Sequence, residues 1–295
     1  MRPFILVVFL SASLAAQSAA VPARVFDAGR HAFGDVETLV TDLAKADVVL
    51  VGEQHDDPQS HRFELAMLEG LARRRLDGVS VGFEMFERDV QDPLDHFQMG
   101  HLTEQEFLAA SRPWPNYATD YKPLVDVAVA NNWPIFASNA PTTLAAEVSK
   151  NGLDGLAALT GKSGDQAKWF AKEVTCKTGD DYFKRFADEM GAHPPATPED
   201  TQRYFQAQCL RDETMAESVA QAYQTGTLGG RRSLVVHFNG SFHTDFAEGL
   251  AADAKRRLPG KRIVIVSILP VADLNKVAPD EKEQQRADYL VYVKQ

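Results

Sequence analysis

The stretch VLVGEQHDDPQSH, residues 49–61, carries a run of aliphatic residues straight into a glycine, a carboxylate and an imidazole. Asp57 is placed to cap a helix that starts at Pro58. A short acidic side chain accepts from the free N–H groups of a first turn, and proline lacks the N–H that would go unpaired there. Beyond it Phe63, Leu65, Leu68 and Leu71 form an apolar face, and Arg73, Arg74 and Arg75 suit a last turn, so the spacing predicts a helix over about 58–75. A buried strand that feeds a helix through a short polar loop is the βα unit of a parallel sheet.

Four more short apolar runs follow outward from this unit: GVSVGFEM ending at Met85, PIFASN ending at Asn139, SLVVHF ending at Phe238 and RIVIVSIL ending at Leu269. Their continuous rather than alternating hydrophobicity fits strands buried on both faces, and helical stretches separate them. The fold class is α/β, with a mostly parallel central sheet flanked by helices. RADYLVYVKQ at the C-terminus is expected to add an edge strand. Helical insertions are expected around 92–132 and 153–225 as a lid-like part, the second interrupted by GAHPPATPED, whose prolines read as a turn or hinge. Residues 21–295 are read as one domain. VLVGEQHDDPQSHRFELAMLEGLARRRLDG and LVVHFNGSFHTDFAEGLAADAKRRLPG also share one plan: strand, Gly-x-x-His, acid, apolar-faced helix, basic end, glycine.

Residues 1–20 place Arg2 before the apolar run FILVVFL and end in small residues, the pattern of a secretory signal with cleavage expected near Ala20. The expected location is periplasmic or secreted, and no lipobox cysteine follows the leader. Without Arg2 the chain carries 30 basic and 41 acidic residues, a net charge of −11. That surface repels nucleic acid and anionic lipid, so neither is an expected partner. Cys176 and Cys209 are the two cysteines. In an oxidising compartment they are expected to pair, the alternative being two separate buried thiols.

In a parallel α/β sheet the loops after the strands open on one side, where ligands bind. Glu53 and His55 follow the first strand, Glu84 ends the second, Asn139 ends the third, and Asn239 and His243 follow the fourth. If those strands are neighbours, two carboxylates and two imidazoles converge, either as a first-row metal site or as a general acid and base. Glu84 interrupts an apolar run, where an unpaired carboxylate would be costly, so a partner or a function is expected for it. The N-terminal ends of helices starting at Pro58 and Thr244 would favour a small anionic ligand. His31, His96, His101 and His193 read as surface residues and His237 as a hydrogen-bonded core histidine; His61 is expected on the helix, facing the cleft or not. Trp114, Tyr117 and Tyr121 pack a loop on the core or receive a flat ligand. Arg211 and Asp212 are open between an ion pair and a cleft-facing role. No Cys-x-x-Cys, P-loop, Gly-x-Gly-x-x-Gly, Gly-x-Ser-x-Gly or Cys-x-x-Cys-His occurs, which argues against nucleotide cofactors, a serine hydrolase and covalently attached haem.

LVGEQHDDPQSH, FEMFERDVQDPLDHFQMG, WPNYATDYKPLVDVA, IFASNAP, QCLRDETMA and NGSFH, in this order over about 47–270, together resemble the ChaN-like haem-binding uptake proteins, which are related to the Tiki, TraB and erythromycin esterase groups. The resemblance implies an α/β fold, exported iron or haem handling, and haem as ligand. Haem-uptake machinery and a second copy of the chain are partners compatible with it. Tyrosine ligation of haem in the family points to Tyr121 first and Tyr117 second, with Arg211 beside the ligand. In the wider superfamily paired Gly-x-x-His motifs and a glutamate support hydrolysis, metal-dependent or by acid and base. That alternative rests on Glu53, His55, Glu84 and His243, with a divalent metal ion as cofactor.

Overall fold

The computed structural model describes residues 21–75, 78–156, 164–191 and 197–295. The expected leader, His193 and part of GAHPPATPED lie outside them. Eight strands form one mixed sheet in the order β2-β1-β8-β7-β3-β6-β4-β5. They are β1 (Ala23–Asp27), β2 (Ala32–Gly34), β3 (Val48–Glu53), β4 (Val79–Glu87), β5 (Ile135–Asn139), β6 (Leu234–Gly240), β7 (Ile263–Val271) and β8 (Tyr289–Lys294). The six strands from β8 to β5 in that order pair in parallel, while β1 runs antiparallel to both β2 and β8. The fold is α/β.

The C-terminal strand is not at an edge. β8 lies inside the sheet, parallel to β7 on one side and antiparallel to β1 on the other. Its burial fits this place, because Leu290, Val291, Tyr292 and Val293 are all enclosed, with side chains on both faces. The edges are β2 and β5. The β1–β2 hairpin that covers β8 is too short to carry a periodicity of its own.

Helices lie on both faces. Val49 and Val51 of β3 face a core built with α1 (Val36–Leu43), α2 (Pro58–Ala72), α3 (Gln91–Gln98), α4 (Glu104–Ser111) and α5 (Lys122–Ala130). Their neighbours Val48 and Leu50 face the opposite core. This alternation on a strand buried on both sides is why the sequence reads as unbroken hydrophobicity. After α6 (Thr142–Asn151) and α7 (Asp181–Met190), the long α8 (Pro198–Gly226) lays Met215, Ala216, Val219 and Ala220 on the second face, beside α9 (Gly249–Arg257).

Both expected helical insertions therefore contribute to the layers that cover the sheet. The element standing off it is α7, whose Tyr182, Phe183 and Phe186 join Phe205 and Phe242 in a small separate cluster. The Cys176–Cys209 disulfide, with Cα atoms 5.6 Å apart, ties this part together. α2 is capped by Asp57 as expected but ends at Ala72, three residues early. Arg74 donates to the Gly70 carbonyl in the last turn of α2, while Arg75 reaches across to the Ala44 carbonyl at the end of α1, so these arginines serve helix ends without extending α2. No helix among the described residues is long and apolar enough to cross a membrane.

Candidate functional site

β3 and β6 are parallel neighbours, with Gly52 opposite Asn239 and Glu53 opposite Gly240. The two Gly-x-x-His motifs thus leave the sheet side by side. Both glycines sit at close approaches, against backbone at Gly52 and against a side chain at Gly240. A Cβ on Gly52 would come within 2.9 Å of Ser241 Cα, and one on Gly240 within 2.7 Å of His55 Nε2. β4 pairs with β6 as far as Phe83, and its register with β5 shifts between Phe83 and Glu87. That irregularity leaves Glu84 beyond the last pair with β6, where its Oε2 accepts the Gly240 N–H at 2.7 Å.

Glu84 Oε1 lies 3.2 Å from His243 Nε2, and Asp212 Oδ1 lies 2.6 Å from His243 Nδ1. The Tyr182 hydroxyl donates to Asp212 Oδ2 at 2.6 Å. One polar chain therefore runs from α7 through α8 to the second motif and on to β4. Burial disfavours a charged His243, yet the charges of Glu84 and Asp212 outweigh it and raise its pKa to about 10. Burial alone would raise Glu84, but the His243 charge and hydrogen bond, His55 and the Gly240 N–H hold it far below the carboxylate range. Phe242, between the two, turns outward to pack on Tyr182 and Phe186, with the Arg185 guanidinium 4.1 Å above its ring.

Across the cleft, His55 Nδ1 is 2.9 Å from Glu53 Oε1 and its Nε2 is 3.9 Å from Glu84 Oε2. The His55 side chain is 42% exposed and meets the edge of Trp114, with ring centroids 4.4 Å apart. Burial lowers the His55 pKa, but the Glu53 hydrogen bond and the charges of Glu84 and Glu53 raise it on balance. Tyr121 donates its hydroxyl to Glu53 Oε1. Deeper still, His61 and Glu64 of α2 adjoin Glu53.

The four residues read as catalytic or metal-ligating, Glu53, His55, Glu84 and His243, converge at one sheet edge. Tyr121 touches them through Glu53, but it is buried, and burial together with Glu53 raises its phenol far above the ordinary value. Tyr117 is buried among Phe86 and Phe107, its hydroxyl unpartnered and its pKa also raised by burial. Trp114 is partly buried against the same core. Arg211 is half-buried, and no hydrogen bond or ion pair joins it to the cleft among the described residues.

Its neighbour Asp212 takes the cleft-facing role. The only signal for Asp212 in the sequence is an acid where α8 turns its buried face. Tyr182 and Glu64 gave no signal beyond helical position, and the sequence leaves His61 open between facing the cleft and not. His237 is the core histidine expected, facing Asn239 Oδ1 and Ser138 Oγ, with burial lowering its pKa to about 4. His31, His96 and His101 are exposed.

The expected anion sites are altered by local geometry. At Pro58 the cap Asp57 already accepts the Ser60 N–H at 2.7 Å. At Thr244 no α-helix starts: it sits between two 3-10 turns, Ser241–His243 and Asp245–Ala247, and α9 begins only at Gly249. A cavity of about 1310 Å³ lies along β4 and β5, lined by residues such as Trp133, Phe136 and Trp169 and by none of the four convergent residues.

The family model described as "Haem-binding uptake, Tiki superfamily, ChaN" matches residues 39–253. A structure describing cofacial haem binding to ChaN of Campylobacter jejuni is similar with a TM-score of 0.67 and 17% identity, covering 92% of this chain and 97% of that one. The type III effector HopBA1 is similar with a TM-score of 0.49 and 11% identity, covering 95% of this chain and 99% of that one. No curated protein matches the sequence.

Proposed function

Since the chain belongs to the ChaN family of haem-binding uptake proteins in the Tiki superfamily, we propose that it binds haem as cargo after export and takes part in haem or iron uptake. The observation that carries this reading is the family match over residues 39–253, which takes in both Gly-x-x-His motifs, Glu84 and Asp212. Export is supported by the leader-like residues 1–20 and by the Cys176–Cys209 disulfide, which suits an oxidising compartment.

Ferric haem accepts a phenolate axially, but the phenol must reach it. Six of the seven tyrosines are buried and Tyr204, on α8, is 37% exposed. The Tyr121 hydroxyl is engaged with Glu53, so we assign ligation to Tyr204 and a structural role to Tyr121. A surface ligand leaves the opposite haem face open to a second copy of the chain or to uptake machinery.

Hemin titration of the purified chain tests this. A shifted Soret band is expected, weakened about tenfold or more in Tyr204→Phe and retained in Tyr121→Phe. A hemin spectrum unchanged by the protein defeats the reading. Metal-dependent hydrolysis is the second reading, favoured by the half-exposed His55 imidazole above Glu84. It requires a divalent metal that His55→Ala abolishes.

A further inference from the structure

Glu53 also belongs to a second set of ligand atoms. Glu53, His61 and Glu64 each offer one, all within 4.8 Å of one another. The residues are 2%, 3% and 0% exposed. Glu53 ends β3, while His61 and Glu64 lie three residues apart on α2 and so share one face of the helix.

The histidine is oriented as a ligand. Its Nε2 lies 3.1 Å from the His55 backbone carbonyl, which only accepts, so Nε2 carries the hydrogen. In the neutral ring Nδ1 then presents a lone pair, and what it faces is Glu64 Oε2 at 2.9 Å and Glu53 Oε2 at 3.8 Å. Acceptors facing an acceptor need a cation or a proton between them. A metal-bound imidazole is commonly fixed in just this way, its other N–H given to a backbone carbonyl. That carbonyl is held in turn by Asn116 Nδ2 at 2.7 Å.

The carboxylates point to the same place. Glu53 Oε2 and Glu64 Oε1 are buried without a hydrogen-bond partner, although Glu53 Oε1 is satisfied by His55 and Tyr121. Two buried carboxylates with unfilled acceptor sites are costly, and a dication offsets both charges at once.

We propose that Glu53, His61 and Glu64 bind one first-row divalent cation, in a site distinct from the group formed by His55, Glu84 and His243. One imidazole and two carboxylates suit Mn2+, Fe2+ or Zn2+. The ion would fasten the end of β3 to α2 and, through Tyr121, to the start of α5. It needs no haem.

The competing account is a retained proton on Glu64, whose carboxyl burial and the Glu53 charge push well upward. To decide, the full chain is stripped with chelator, dialysed, and titrated with Mn2+ and Zn2+, with metal content measured by mass spectrometry. One equivalent per chain is expected. His61→Asn and Glu64→Gln should each weaken binding roughly 100-fold, while His243→Gln keeps the ion. Should the buried variants fail to fold, pulsed EPR of Mn2+ in the unsubstituted chain supplies the readout, with one coupled histidine nitrogen expected. The proposal is overturned by a stripped chain that takes up no metal, by two coupled nitrogens, or by an ion that survives His61→Asn and Glu64→Gln but is lost in His55→Ala.

Discussion

Asp212 Oδ1 lies 2.6 Å from His243 Nδ1, so the imidazole of the second motif is held from α8 as well as by Glu84 of β4. This fixes the sign of a pH dependence. The folded pKa of His243 is raised to about 10 from an ordinary 6.5, so the native chain keeps a proton that the unfolded chain has released. Its contribution is complete below pH 6.5 and is lost as pH rises through about 10. Glu84 acts oppositely: its pKa is depressed, so its contribution is present above the ordinary 4.5 and lost in strong acid. Calorimetric Tm should therefore fall between pH 6.5 and 10, and His243→Gln should flatten that limb. A level profile in the unsubstituted chain would mean that His243 is not held as a cation.

The two motif glycines should respond differently to alanine. At Gly52 the new methyl meets Ser241 Cα and Thr244 Oγ1, at 2.9 and 3.0 Å, and a backbone atom cannot step aside. Gly52→Ala is expected to cost about 2 to 3 kcal/mol in urea unfolding. At Gly240 the nearest atoms are His55 Nε2 and Cε1, the far end of a half-exposed side chain that can rotate away. Gly240→Ala should cost about 1 kcal/mol or less. It should nevertheless break the His55–Glu53 contact, visible as a shift of the His55 ring 15N resonances. Equal costs for the two variants would contradict the packing described for the motifs.

The parallel core of the sheet is legible because each of its strands is an unbroken apolar run, and because Gly-x-x-His recurs after two of them. The same logic located Glu53, His55, Glu84 and His243 at one edge. It failed where structure depends on partners distant in sequence. β8 reads as terminal and so was assigned to an edge, but the β1–β2 hairpin from the other end of the chain covers it. The sequence leaves His61 open between facing the cleft and not, and Glu64 carries no mark as a site residue, since on α2 it resembles any polar helical residue; only the arrival of β3 behind them makes their burial evident. Tyr121, the first choice as haem ligand, does lie beside Glu53, but its hydroxyl points inward and donates to that carboxylate. Direction of a side chain within a π-turn is not contained in residue spacing.

The disulfide offers a test of how the outer helices support the site. Cys176 and Cys209 are separated by 33 residues, and the loop they close carries α7, whose Tyr182 donates to Asp212. Closing a loop of that length removes unfolded-state freedom worth about 3 to 4 kcal/mol in the chain-entropy account. The double variant Cys176→Ala with Cys209→Ala should lose a stability of that order in urea unfolding. The core faces of the sheet do not include either cysteine, so far-UV circular dichroism in native buffer should be retained. The local consequence separates entropy from positioning. If the bridge also holds α7 against α8, the Tyr182–Asp212 contact loosens in the variant, Asp212 is freer to leave His243, and the His243 pKa measured by NMR falls below about 10. If stability drops while that pKa stays in place, the bridge acts on the unfolded chain alone, and the packing of Tyr182, Phe205 and Phe242 suffices to keep Asp212 on His243.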